Sequence, residues 1–445
     1  MSPRRPNMTP HKTPMATQPM PQRLDNFQEV ALGYTLEQAQ AEAERCLNCP
    51  DRYCSMHCPA HNYIPEFIAA IREGNLEEAW QQLSRTNPMM EISGRVCPCQ
   101  QQCESHCTRG IKSEPVAIGR LERFVADWHR RHVREQDVPP QPNGRSVAIV
   151  GGGPAGLTCA FSLARSGYQV TIYEKEPVMG GVPVWGIPSF VLPENLMQLQ
   201  IDQLRQLGVT FRTNTALGRD VTLEELRNRN DAVFVATGAQ KPVDMDLPGR
   251  SLAGVVQAKE YLSSPQAFSA RRVLIFGGGN TAIDVARTAL REGAQATLVY
   301  RRTEADMPAT RDELTIAREE GVELVELTAP LAFEGSDGTL TGVRCAKMKL
   351  TAPDYPGGRN NVAPSGEELV LPCDLAVLAL GFGPEPLPGL PADVRGRIPV
   401  DKQYATSLDC VYAGGDAVTG AATLMKAVAA GKDAAAAIFA RFSAE

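Results

Sequence analysis

At 445 residues the chain has room for about three domains of roughly 100 to 200 residues, and its 43% hydrophobic content lets each bury a core. A formal charge of −6 and only 6% aromatic residues leave no basic stripe of the kind that nucleic acid needs. No apolar run reaches the roughly 18 residues of a membrane span; the longest, near Ala427 to Phe439, is broken by Lys432 and Asp433 and reads as an Ala-rich packed helix.

Met1 to Arg23 mixes Pro, Met, Thr and Gln with scattered bases and no acid, so residues 1–24 are expected to form a disordered tail. It has neither the apolar stretch of a signal peptide nor the Arg- and Ser-rich pattern of a transit peptide, which places the expected protein in the cytoplasm. Tyr34-Thr-Leu-Glu-Gln-Ala39 predicts a helix capped by Thr35, and Pro65 to Glu73 and Leu76 to Leu83 read as short amphipathic helices.

These helices surround a dense run of cysteines. Eight of the twelve lie between Cys46 and Cys107, as Cys46, Cys49, Cys54 and Cys58-Pro59, then Cys97-Pro98-Cys99, Cys103 and Cys107. Disulfides require an oxidising compartment and favour small secreted domains, which disfavours them in a large chain that also carries nucleotide-binding sequences. Structural zinc is the other rival. The C-x2-C-x4-C-x3-C-P run resembles the ferredoxin pattern, in which the Cys before Pro serves a second cluster, so two iron–sulfur clusters are the leading expectation. Apolar residues are few here, and metal centres would supply much of the folding free energy. Glu114 to Phe124 is expected to be helical, with Ile118, Leu121, Phe124 and Val125 on one apolar face. By spacing alone, Glu122 reads as a solvated carboxylate.

Val138 to Gly144 is a Pro-rich linker. Ser146 to Val150 then forms a buried strand, followed at once by Gly151-Gly-Gly153-Pro154-Ala155-Gly156, a helix, and a second strand ending in Glu174. This is the dinucleotide fingerprint in context: a tight turn, close backbone approach to pyrophosphate, helix packed on strand, and an acid for the adenosine ribose. The device recurs as Arg272 to Phe276, Gly277-Gly-Gly279-Asn280-Thr281-Ala282, a helix, and a strand that ends in Arg301-Arg302 instead of an acid. Paired guanidiniums grip a 2′-phosphate that a carboxylate would repel, so the second site is expected to take NADPH and the first FAD. Gly238 and Gly381 close further strands, and Gly414-Gly415-Asp416 follows another, placing Asp416 to meet ribityl or pyrophosphate oxygens.

All six histidines precede residue 133, so no catalytic acid–base residue is expected in the nucleotide-binding part. Hydride transfer needs none, since the protein mainly positions the cofactors. After residue 145 the cysteines (Cys159, Cys345, Cys373 and Cys410) are isolated and read as core hydrophobes.

From about Asp25 onward the chain resembles the small (beta) subunit of NADPH-dependent glutamate synthase and its relatives, the N-terminal half of dihydropyrimidine dehydrogenase and the NADPH-binding subunit of electron-bifurcating ferredoxin:NADP oxidoreductases. The motifs that carry the resemblance are Ala31-Leu-Gly-Tyr34, Cys46-Leu-Asn-Cys49, Gly94-Arg-Val-Cys-Pro98, Glu114 to Phe124, the two glycine loops, Gly186-Ile187-Pro188 and Gly414-Gly-Asp416. The resemblance implies two [4Fe–4S] clusters with interlaced ligands, Cys46, Cys49, Cys54 and Cys107 for one, and Cys58, Cys97, Cys103 and Glu122 for the other; this replaces the solvated reading of Glu122 and leaves Cys99 spare. It also implies that Gly180-Gly181 and Gly186-Ile187 border the flavin, with Thr423 near its ring.

The expected fold is α/β: two Rossmann-like dinucleotide-binding domains, one inserted in the other, behind an α-helical iron–sulfur domain. The expected units are residues 25–137 for the clusters, 145–250 with 376–445 for FAD, and 251–375 for NADPH. With no FMN-type barrel, and Ser rather than Cys at position 2, the chain is expected to be an electron-input subunit. It would pass electrons from NADPH through FAD and the clusters to a larger catalytic subunit, a glutamate synthase large subunit or a similar reductase. The alternatives are the bifurcating or pyrimidine-reducing complex and, from another class, a zinc-holding assembly or regulatory protein.

Overall fold

A computed structural model describes residues 6–133, 138–353 and 360–443. The cysteine region is helical, as expected. Thr35 caps Leu36–Ala43 through a reciprocal capping box with Gln38, and Ile64–Glu73 and Leu76–Ser84 bury their apolar faces against Ile118–His132. That last helix starts later than expected. Pro115 and the buried pair Arg45 and Glu42 hold residues 114–117 outside it: Arg45 donates to the Glu114 carbonyl at 2.7 Å and Glu42 accepts from Ala117 N at 2.8 Å.

The expectation of a disordered tail over residues 1–24 is corrected for the described part, from residue 6 on; residues 1–5 lie outside the described residues. From Asn7 the segment lies along the cluster domain, and Ala16–Thr17 pairs with Ala31–Gly33. Arg45 donates to Thr9 O at 3.1 Å, and Thr13 N donates to Glu42 at 2.6 Å. Arg23, only 2% exposed, pairs with Glu319 at 2.8 Å. A polar composition signals disorder only when no buried charge elsewhere in the chain recruits it.

Two parallel five-stranded sheets follow. The first runs Val411–Ala413, Ala232–Val235, Ser146–Val150, Gln169–Tyr173, Thr210–Arg212. The second runs Glu323–Val325, Gln295–Val299, Arg272–Phe276, Leu375–Leu378, Val255–Gln257. Leu375–Leu378 is the fourth strand of the second sheet, so the expected return to the first domain at residue 376 falls early. The chain crosses out at Lys241–Pro242 and back at Phe382–Gly383, and these two segments pair antiparallel. A three-stranded antiparallel meander, Thr328–Ser336, Thr339–Thr351 and Asn361–Pro372, is inserted before that last strand. Among the described residues no helix is long and apolar enough to cross a membrane.

Candidate functional site

Both glycine loops occupy the same place in their sheets, between the first strand and the helix behind it, Pro154–Arg165 and Asn280–Arg291. Gly151 has φ +110°, and a Cβ there would lie 2.3 Å from the Ala236 carbonyl; a Cβ at Gly156 would lie 2.0 Å from that of Gly151. Only glycine fits either position. Glu174, 8% exposed, accepts from Gly152 N at 2.7 Å and Glu176 N at 2.9 Å, which holds its carboxylate beside the loop.

The loops open on one cavity of about 660 Å³. Of the residues singled out by sequence, it is lined by Gly151, Gly153, Pro154, Ala155, Glu174, Gly181, Ile187, Gly238, Asp416 and Thr423, and from the second domain by Gly279, Asn280 and Thr281. Val96, Pro98 and Gln101 of the cluster domain complete the wall. Gly156, Gly186, Gly277 and Gly415 do not line it; a Cβ on Gly277 would lie 2.3 Å from the Ala379 carbonyl, and one on Gly415 would lie 2.9 Å from Ala155 Cβ, so these two shape the turns. Arg301 and Arg302 stand outside, just past Gln295–Val299. Arg301 is exposed, and Arg302 Nε donates to Asn360 O at 3.1 Å. Burial pushes the Asp416 carboxyl up to about 6, against a hydrogen bond from the Ala422 backbone.

The sequence reading missed several wall residues. The Trp185 ring is braced by Lys259 Nζ 4.8 Å above it and by the edge of Phe382 at 5.5 Å. Its Nε1–H is buried with no hydrogen-bond partner among the described residues, a donor left for a ligand. Gln101 Nε2 donates to Pro308 O at 2.8 Å, and Asn280 Oδ1 accepts from Thr310 N at 2.9 Å, so the second glycine loop and the cluster domain are tied through residues 308–310. These are long-range contacts, and no local pattern marks them.

The cysteines fall into two groups. Cys46, Cys49, Cys54 and Cys107 are electrostatic neighbours; removal from water pushes the thiols of Cys46 and Cys54 up to about 11 and 12, and the adjoining cysteines add to the rise. Cys58, Cys97, Cys103 and Glu122 form the second group, and Cys99 lies inside it. Burial raises the Glu122 carboxyl to about 8, and the Cys99 sulfur reinforces this; Ser93 Oγ, Asn87 Nδ2 at 3.1 Å and Asn62 Nδ2 at 3.5 Å donate to it. Crowded thiols in low dielectric ionise together only around positive charge, so the donor set fits a thiolate-bound metal group. Among the described residues no three His, Cys, Asp or Glu side chains are disposed to hold a single ion. A four-iron cluster does not ask for this, because its thiolates sit on different irons.

Residues 23–134 match the family described as dihydropyrimidine dehydrogenase domain II, 4Fe-4S cluster, and residues 145–434 match pyridine nucleotide-disulphide oxidoreductase. The glutamate synthase [NADPH] small chain of Azospirillum brasilense is 36% identical over 94% of this chain and 92% of its own, and that of Escherichia coli K12 is 35% identical over 94% of each. The chain belongs to the glutamate synthase small-chain family. It is accordingly an NADPH-dependent oxidoreductase with a 4Fe–4S domain ahead of a domain for FAD and NADPH. A putative oxidoreductase of Escherichia coli K12, AegA, is 37% identical over 93% of this chain and 67% of its own. The nucleotide-binding fold is also that of FprA from Mycobacterium tuberculosis in complex with NADPH, with a TM-score of 0.60 at 20% identity over 68% of this chain and 85% of that one. Thioredoxin reductase from T. acidophilum gives a TM-score of 0.54 at 22% identity over 67% and 99%. After residue 145, Cys159 is buried in hydrophobic core, and Cys345 and Cys373 are buried together in another core cluster, where burial raises the Cys373 thiol and Cys345 adds to the rise.

Proposed function

We propose that the chain is the electron-input subunit of a larger complex, taking electrons from NADPH and delivering them singly, through two [4Fe–4S] clusters, to a partner. The observation that carries this is one cavity walled by both glycine loops and by Pro98, the residue between Cys97 and Cys99. When bound, FAD accepts hydride from NADPH and releases electrons one at a time to iron–sulfur centres.

The chain's own residues bind and orient. Gly153, Ala155 and Gly156, at the start of Pro154–Arg165, would hold a pyrophosphate, Glu174 would take the adenosine ribose, and Asp416 and Thr423 would meet the rest of the same ligand. Gly181 and Ile187 line the floor, and the Trp185 Nε1–H is the free donor beside them. Gly279, Asn280 and Thr281 would hold the second dinucleotide, and Arg301 and Arg302, just past the strand end, would meet its 2′-phosphate. The first thiolate set is Cys46, Cys49, Cys54 and Cys107. The second is Cys58, Cys97 and Cys103, with Glu122 as the fourth donor implied by the family.

The names of relatives support the partner: small chains of glutamate synthase, and a subunit beta of NADP(+)-dependent formate dehydrogenase from Moorella thermoacetica, 38% identical over 86% of this chain and 59% of its own. A glutamate synthase large subunit is the partner proposed. The test is anaerobic titration of the purified chain with NADPH, with iron and acid-labile sulfide measured beside it. Flavin bleaching followed by paramagnetic cluster signals is expected; zinc without sulfide would end the reading. Co-purification from the host identifies the partner.

A further inference from the structure

The two nucleotide-binding units are joined by a slender link. The chain crosses at Lys241–Pro242 and returns at Phe382–Gly383; these segments pair over two residues, and Val243 N donates to Gly381 O at 2.9 Å beside them. A link of this size fixes where the units meet but leaves the angle between them soft. Hydride transfer does not tolerate that softness, because the reacting atoms of the two dinucleotides must come aligned to about 3–3.5 Å. The angle has to be set by contacts around the shared cavity.

Lys259 is placed to make one. It is the second residue of Ala258–Ser263, the short helix after the edge strand Val255–Gln257 of the second sheet. Ala258 and Tyr261 are buried in that unit's own core, and the Lys259 side chain reaches across to the first unit. There its Nζ lies 3.2 Å from Gln240 Oε1, 3.4 Å from Glu176 Oε1 and 4.8 Å from the centre of the Trp185 ring. Phe382, at the returning crossing, meets the same ring edge-on at 5.5 Å. Gln240, Glu176 and Trp185 all line the cavity, and Lys259 does not. Each of the three is tied to the first site: Gln240 follows Gly238 by two residues, Trp185 ends the short helix that Gly181 begins, and Glu176 N donates to the Glu174 carboxylate at 2.9 Å. One ammonium of the second unit thus gathers three wall residues of the first, beside the link.

We propose that Lys259 is a positioning residue for hydride transfer, setting the angle between the two nucleotide-binding units while holding neither dinucleotide. This rests on the reading of the cavity given under the proposed function. The test mixes the full, FAD-loaded chain anaerobically with NADPH in a stopped-flow instrument and follows flavin bleaching; a wild type whose flavin NADPH does not bleach would sink the reading of the cavity, and this proposal with it. Lys259→Met keeps the length and loses the charge. It should lower the limiting rate of bleaching about tenfold, with flavin per chain and the Kd for NADPH within about twofold of wild type. Lys259→Arg, which keeps the charge and stacks on an indole, should restore most of the rate. The Lys259 and Glu176 side chains are 27% and 39% exposed, so salt screens their contact. The wild-type limiting rate should therefore fall between about 0.05 and about 1 M salt, and that of Lys259→Met should not. Amide hydrogen exchange at residues 241–243 and 381–383, measured without NADPH, should quicken in Lys259→Met and reads the link apart from turnover. A Met variant with the wild-type limiting rate overturns the proposal, as does one whose change lies in the Kd for NADPH instead. A slow variant that Arg does not rescue, with the salt response of wild type, would show a merely structural role and overturn it too. Glu176→Gln removes the same contact from the other side and should slow bleaching in the same way, so the proposal stays testable where Lys259→Met loses its flavin.

Discussion

Replacing Glu320 by Gln removes one negative charge, without changing volume, from the point where three parts of the chain meet. Both oxygens are engaged. Arg287 donates at 2.9 and 3.0 Å, Arg291 donates at 2.9 and 3.0 Å, and Arg23 Nε approaches to 3.5 Å. Arg23 comes from the N-terminal segment, and Phe190 from the first nucleotide-binding unit lies 4.6 Å from Arg287 and 4.0 Å from Arg291. Arg291 Nε also donates to Asn26 O at 3.2 Å. Breaking a buried pair by deleting one partner costs about 3–5 kcal/mol. Here Glu313 and Glu319 still take part of the freed charge, so about 3 kcal/mol is expected, a fall of roughly 10 °C in Tm for a unit of this size. Burial pushes the Glu320 carboxyl up, but hydrogen bonds from Arg291 and Arg287 outweigh it and hold the carboxyl below its ordinary value. Its folded value is therefore below the unfolded one, so the stabilisation is present above about pH 4.3 and lost as pH falls through the folded value. The gap between wild type and Glu320→Gln should be flat from neutral pH to about pH 5 and close below about pH 4. Thermal and urea unfolding across that range measure it. A neutral-pH difference under about 1 kcal/mol, or one that persists unchanged into acid, would refute the argument.

Three other changes test the site. Replacing Arg301 and Arg302 together by Ala should raise the KM for NADPH about tenfold or more and leave that for NADH nearly unchanged, and steady-state kinetics with both nucleotides would expose an equal effect. Cys58→Ser should remove one cluster, read as iron and sulfide, while NADPH-dependent dye reduction at the flavin continues; loss of flavin instead would mean that the two modules are not separable. Gly431→Ala would put a Cβ 2.2 Å from the Ala155 carbonyl, forcing Leu424–Ser443 away from the first glycine-loop helix. A loss of about 1–3 kcal/mol in stability and a lower flavin content per chain are expected.

What the sequence made legible is what local chemistry determines. Ser146–Val150 and Arg272–Phe276 were readable to the residue, because an apolar run that stops at Gly-x-Gly has one physical meaning. Thr35 was readable as a cap because the Gln three residues on completes its box. The strand Leu375–Leu378 was visible too, but not its sheet: Leu375 to Gly381 and Ala232 to Gly238 have the same pattern, and only register with Val273 and Val255 assigns the later one to the second sheet. Arg23, Gln101 and Trp185 left no trace, since each acquires its role from a partner far along the chain.

These nonlocal contacts share one consequence. The N-terminal segment anchors to Glu319 and Glu320, Gln101 to the loop at Pro308, and Pro98 enters the cavity wall next to Cys97. Each joins the cluster domain, or the segment that runs along it, to the nucleotide-binding part at a different point, and together they hold a redox group at the cysteines at a fixed separation from one between the glycine loops. Electron transfer depends steeply on that separation, whereas hydride transfer depends only on the geometry within the cavity. Loosening the Glu320 contact should therefore slow NADPH-driven cluster reduction more than NADPH-driven flavin reduction. Stopped-flow absorbance on the Glu320→Gln protein resolves the two phases, and equal slowing of both would show that the contact serves stability alone.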